Sequence, residues 1–178
     1  MKNIFQSEIV QFFLKIAGFF LVWYILYDLW IMPNGWIDEP LSRNIAGITA
    51  GLLTASGETV FLYDRVVGIF GSAGVEIVDG CNGISAIGLF LAFIIAFPGS
   101  RLPRFLFSIL GITVIYLSNI VRVTVLAYTQ AYWPAGFAFT HDYSTTTLFY
   151  LIIFVLWVIW ANTGTQWMSG SEKLQEQT

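Results

Sequence analysis

Charge is what this chain has least of. Charged residues fill 11% of its 178 positions, against about 25% in a soluble domain. With 57% hydrophobic and 17% aromatic residues and a mean hydropathy of +0.73, too little polar surface remains to coat a water-facing globule. A soluble domain is excluded, and an integral membrane protein is implied. The basic residues neither cluster nor interleave with aromatics on a polar face, which excludes nucleic acid as a partner. Cysteine occurs once, so neither an intrachain disulfide framework nor a Cys-rich zinc site is available. No small-residue cleavage site follows the N-terminal apolar run, which is too long and too aromatic for a signal peptide. Internal repeats and low-complexity stretches are also missing. The net charge of -3 says less than where the charges fall.

What is present is a series of long apolar runs. A helix needs roughly 20 residues to cross a bilayer core, and four segments reach that scale: about Phe12–Met32, Cys81–Phe97, Phe105–Trp133 and Tyr143–Trp167. Trp30, Trp36, Tyr132, Trp133, Tyr143 and Trp167 mark their ends, as interfacial aromatic belts do. A fifth stretch, Leu41–Ser56, carries Ser42, Arg43, Asn44, Thr49, Thr54 and Ser56. It reads as a short interfacial or re-entrant helix. Lys2 and Lys15 precede or enter the first span, and Arg101 and Arg104 fall between the second and third. Positive charge marks cytoplasmic ends. The segment from Pro33 to Gly80 is acidic and is expected outside. Four crossings alternate consistently with these charges, whereas a fifth would put the Arg101/Arg104 loop outside.

Between the weak helix and the second span the pattern changes. Thr59–Tyr63, Val66–Phe70 and Val75–Val78 are short β-branched or aromatic runs. Asp64-Arg65 and Gly71–Gly74 separate them as turns, which predicts a small β meander. The expected fold is mainly α: a polytopic membrane helical bundle of about four spans and an interfacial helix, with an extracytoplasmic β meander. As one domain over 1–178 it divides into a first span (1–32), an extracytoplasmic helix and meander (33–80), a three-span core (81–167) and a cytoplasmic tail (168–178).

Three residues break the hydrophobic pattern at one expected depth. Cys81 lies at the outer start of the second span. Arg122 lies 17 residues into the third, about 26 Å from its inner end. His141, the sole histidine, sits in the outer loop before the fourth. Each has a plain alternative. A lone cysteine is often a small core hydrophobe, an arginine near a span end snorkels to the interface, and a loop histidine is often an ordinary surface residue. Their coincidence points instead to a cysteine-nucleophile site at a bilayer surface. Gly80 and Gly83 leave room for a substrate backbone. A helix N-terminus lowers a thiol pKa, and a thiolate there is an activated nucleophile. Arg122, with Asn119 one turn earlier, offers a fixed cation for an oxyanion or for a bound peptide's carboxylate or carbonyl. His141 is a candidate general base and acid, with Asp142 as its orienting partner. Gly88, Ala92 and Ala96 form a small-residue stripe that reads as a helix-packing face.

These residues resemble the exosortase/archaeosortase family of membrane transpeptidases. The likeness rests on Asp79-Gly80-Cys81-Asn82-Gly83-Ile84, on Asn119-Ile120-Val121-Arg122 and on His141. It covers the chain from about Glu58 onward. The family's cysteine motif more often reads Ala-Cys-Ser-Gly. Gly80 and Asn82 depart from it, which keeps the nucleophile and leaves substrate choice open. The chain looks like a compact single-domain form.

The resemblance implies a membrane cysteine peptidase or transpeptidase in the cytoplasmic membrane, with its site on the extracytoplasmic side. Its partner would be a membrane-anchored protein bearing a C-terminal sorting signal, cleaved through a thioacyl intermediate and passed to a surface acceptor. Cys81 would be nucleophile, His141 acid and base, and Arg122 transition-state stabiliser, with Asn82, Asn119 and Asp142 binding substrate or supporting. No metal or organic cofactor is implied. The competing reading is a non-enzymatic membrane carrier or scaffold that binds an anionic ligand at Arg122. A third is an enzyme that hydrolyses without transfer.

Overall fold

The computed structural model describes residues 8–143 and 147–175. Lys2 and the last residues of the expected tail lie outside them. The architecture is mainly helical with one small sheet. Helix α1 (Glu8–Trp23) runs on through a π-helical stretch, Tyr24–Ile31, and a single 3-10 turn at Met32–Asn34. Gly35, at φ 65°, ends this run in the left-handed conformation that glycine adopts most cheaply.

Helix α2 (Asp38–Ala55) follows, with Asp38 and Glu39 in its first turn. Acidic residues there complement the helix dipole. Ser42, Ile45, Ala46, Thr49 and Leu53 are buried, a stripe at helical spacing. Strands β1 (Val60–Tyr63), β2 (Val66–Ile69) and β3 (Val75–Glu76) then form an antiparallel sheet in order β1-β2-β3. Its first turn has two residues, and Asp64 takes φ 52°, as a tight hairpin requires. The meander expected from the alternation is therefore present. The Arg43 guanidinium bonds Asp64 at 2.6 Å and holds that carboxyl below its ordinary value, tying the hairpin tip to α2.

The chain then turns through Val78–Gly83 into α3 (Ile84–Ala96), α4 (Arg101–Tyr132), the short α5 (Phe137–Tyr143) and α6 (Phe149–Gln175). Among the described residues, two helical runs are long and apolar enough to cross a membrane, Ile9–Asn34 and Arg101–Tyr132. Ile84–Ala96 and Phe149–Gly164 are apolar but shorter. At 1.5 Å per residue α3 reaches only about 20 Å, against a hydrocarbon core of about 30 Å. Of the four expected spans, the first and third meet the length of a full crossing among the described residues. Helix α2, although 18 residues long, is not among the candidate spans.

Other boundaries differ from the sequence reading. Arg101 and Arg104 lie on the first turn of α4, not in a loop. Arg104 donates from Nη2 to the carbonyls of Phe97 (3.1 Å) and Gly99 (2.9 Å), satisfying acceptors beyond the C-terminal end of α3. His141 lies on α5, not in a loop. Among the described residues, buried side chains form two cores. One joins α2, the sheet and the second half of α4 around Ile45, Val67, Ile77 and Leu126. The other joins α3, α6 and the first half of α4 around Phe90, Ile115, Ile153 and Trp160. The expected small-residue stripe is a packing face: a side chain at Gly88 would meet the Trp23 ring at 2.7 Å.

Candidate active site

The site forms where the two cores meet, around the loop that carries Cys81. Cys81 N–H donates to the Val78 carbonyl at 2.9 Å, closing a turn. Gly80 (φ 85°) and Gly83 (φ 90°) flank the thiol in left-handed conformations. At Gly83 a Cβ would find only ordinary contact, 3.7 Å from Asn119. Backbone angle, not space, therefore requires glycine there. Helix α3 begins three residues after Cys81, so the thiol sits on the approach to the helix rather than within it. Asn82 Oδ1 accepts from the Ile84 N–H at 3.1 Å, occupying one of the free amides at the helix start.

The loop is held from three directions. From α4, Asn119 Nδ2 donates to the Cys81 carbonyl at 3.1 Å, and Arg122 Nη1 approaches the same oxygen at 3.4 Å. Arg122 Nη1 also lies 3.4 Å from Asn119 Oδ1, so the Asn-x-x-Arg pair acts as one clamp on one face of the helix. From α2, Asp38 Oδ1 accepts from Asn82 Nδ2 at 2.7 Å and from the Tyr27 hydroxyl at 2.7 Å. From the sheet, Arg65 Nη1 binds Asp79 Oδ1 at 2.6 Å.

Arg122 is 2% exposed, and its guanidinium lies 5.9 Å from the centre of the Phe149 ring on α6. It does not snorkel. It lies 21 residues into α4, about 32 Å from the start and about 15 Å from the C-terminal end. That is deeper than a position at the very end of the helix. Cys81 and Arg122 line a cavity of about 210 Å³ with Gly83, Ala86, Leu89 and Tyr150. On their other side they share a crevice of about 20 Å³ with Glu76, Val123 and His141. His141 stacks on Phe137 with ring centres 6.1 Å apart, and its Nδ1 is 3.2 Å from Asp142 Oδ1. Asp142 is exposed. The fold thus brings Cys81, Asn119 and Arg122 into contact around one carbonyl, and it lines His141 along the same crevice. Asn82 points away from the cavities into α2.

Comparison with known proteins adds one finding. The family described as Transmembrane exosortase (Exosortase_EpsH) matches residues 6–158. The chain belongs to this exosortase family. No curated protein and no solved structure matches it. The match begins well before Glu58, where the motif likeness began, and so takes in α1 and α2.

Three residues around this exosortase site escaped the sequence reading: Tyr27, Asp38 and Arg65. Tyr27 lies inside an apolar run and reads as one more span aromatic. Asp38 reads as one more acid of the outside segment Pro33–Gly80, yet it is fully buried. Arg65 reads as a turn residue. The one signal available beforehand was the motif residue Asp79, a carboxylate beside apolar chain that needs a cationic partner.

Proposed function

We propose that this exosortase is a membrane cysteine transpeptidase that cleaves a C-terminal sorting signal from an exported protein and transfers the product to a surface acceptor. The observation that carries the reading is that Cys81, Arg122 and His141, from three separate segments, border one crevice. His141 takes the Cys81 proton, and the sulfur attacks the scissile carbonyl carbon. As the C–N bond breaks, His141 returns that proton to the leaving amine. A thioester on Cys81 remains. An acceptor amine or hydroxyl then loses its proton to His141 and attacks the thioester. The thiolate leaves and is reprotonated.

Arg122 supplies the fixed positive charge beside the reacting carbonyl, and it holds the Cys81 backbone together with Asn119. Asn82 and Asp142 support the loop and the imidazole. The site faces the extracytoplasmic side of the cell membrane, and the substrate is itself anchored in the bilayer. The 210 Å³ cavity between α3 and α6 opens beside the thiol, where such a substrate would arrive.

The test is a thioester trap in native membranes. Wild-type chain should carry a hydroxylamine-labile protein adduct on Cys81, which accumulates when acceptor is withheld and is absent from Cys81→Ala. Normal processing of surface proteins by Cys81→Ala would end the reading and favour a carrier or scaffold, for which the thiol is dispensable.

A further inference from the structure

We propose that Asp38, braced by Tyr27, is the positioning residue of this active site, setting the Cys81 loop through Asn82. The inference rests on the transpeptidase reading only for its consequence in rate; the positioning itself is a matter of structure. Asp38 is fully buried, with Asn82 1% and Tyr27 5% exposed. Its Oδ1 collects two donors at 2.7 Å, one from each of these neighbours. Its Oδ2 is buried and has no hydrogen-bond partner among the described residues. A half-satisfied buried carboxylate is an expensive way to fill space, and each such group calls for an explanation beyond packing.

The geometry supplies one. Asn82 uses both ends of its side chain, donating to Asp38 and accepting from the Ile84 amide. The preceding peptide unit, Cys81–Asn82, has its carbonyl held from α4 by Asn119 and Arg122. One peptide is therefore gripped on its carbonyl from one helix and on its following side chain from another. Rotating it to re-aim the thiol breaks both sets of bonds. A side-chain oxygen suits the second grip because it accepts from both buried donors at once. Tyr27 is the buried residue of the π-helical stretch, where the Met32 N–H reaches back five residues to the Tyr27 carbonyl. Such stretches recur at functional sites.

Cys81 is the sole cysteine, so a trifluoroethylthio label on the full-length chain in nanodiscs reports on this loop alone by fluorine NMR. Asp38→Ala should narrow the resonance, and in unlabelled chain it should slow formation of the hydroxylamine-labile thioester about 10²-fold, as a misplacement of about 1 Å does. Asp38→Asn keeps an acceptor for both donors and should restore both line shape and rate. A wild-type line in Asp38→Ala, or a narrowing that Asp38→Asn does not reverse, overturns the proposal. If Asp38→Ala does not accumulate as folded protein, Tyr27→Phe removes a single hydroxyl and decides the matter: narrowing supports it, and an unchanged line overturns it. Failure of the unsubstituted chain to form any thioester would sink the transpeptidase reading while leaving the fluorine comparison standing.

Discussion

At the scale of single residues, the unusual one is Arg122. A guanidinium inside a span costs roughly 2.5–3.5 kcal/mol on insertion scales, and snorkelling is the cheap escape. Here the head is buried and meets the Cys81 carbonyl, Asn119 and the face of Phe149. Each contact offsets part of the desolvation. The fork of the guanidinium is planar and rigid; an ammonium at the end of a four-carbon stem is a point charge. Arg122→Lys should therefore keep the charge and lose the clamp. We expect thioester formation to fall about 10²- to 10³-fold, the range for losing one preorganised donor, with Cys81 still alkylated by an added thiol reagent. An Arg122→Lys chain that forms thioester at the wild-type rate would show that charge alone suffices.

At the scale of elements, α3 is set at both ends by neighbours. It starts after Gly83, where Asn82 Oδ1 accepts from the Ile84 amide. It stops where Phe97 turns extended (φ -77°, ψ 141°) before Pro98, which disfavours helix in the preceding residue. Its packing on α4 is close: a Cβ at Gly111 would stand 2.1 Å from the Phe90 ring tip. Phe90 is fully buried and has nowhere to swing. Gly111→Ala should destabilise the fold by about 1–3 kcal/mol, the usual cost of overpacking, despite the better helix propensity of alanine. Thermal unfolding in detergent measures this. No loss of stability would mean that α3 and α4 can separate without cost.

At the scale of the whole molecule, surface apolarity and charge govern how the helices stand in the bilayer. Exposed apolar side chains run along α1, α4 and α6, including Phe13, Leu106, Leu117 and Phe154. Hydroxyls on α4 bond back to carbonyls one turn earlier, at Ser108, Thr113, Ser118, Thr124 and Thr129. That is how polar side chains are satisfied where water is absent. Because positive charge marks cytoplasmic ends, the basic residues Lys15, Arg101 and Arg104 lead us to expect the turn before α4 inside and the sheet outside. In a Cys81→Ser background, cysteine at Ser100 should react with an impermeant maleimide only after permeabilisation, and cysteine at Ser72 without it. Labelling of Ser100 from outside would overturn this orientation.

Membrane residence, the meander and the meeting of Cys81, Arg122 and His141 along one crevice were legible in the sequence. Each depends on a pattern that neighbours in the chain impose by themselves: length of apolar run, period-two alternation, or a polar residue where hydrophobicity should continue. The length of α3, the place of Arg104 and the contacts of Tyr27, Asp38 and Arg65 were not legible. The last three depend on which groups meet across 11, 44 or 14 residues, and composition carries no trace of that. Asp38 looks the same in sequence whether it faces water or Asn82. Only the tertiary structure removes its water and leaves Tyr27 and Asn82 as its partners, because a buried carboxylate must find its hydrogen bonds inside the protein.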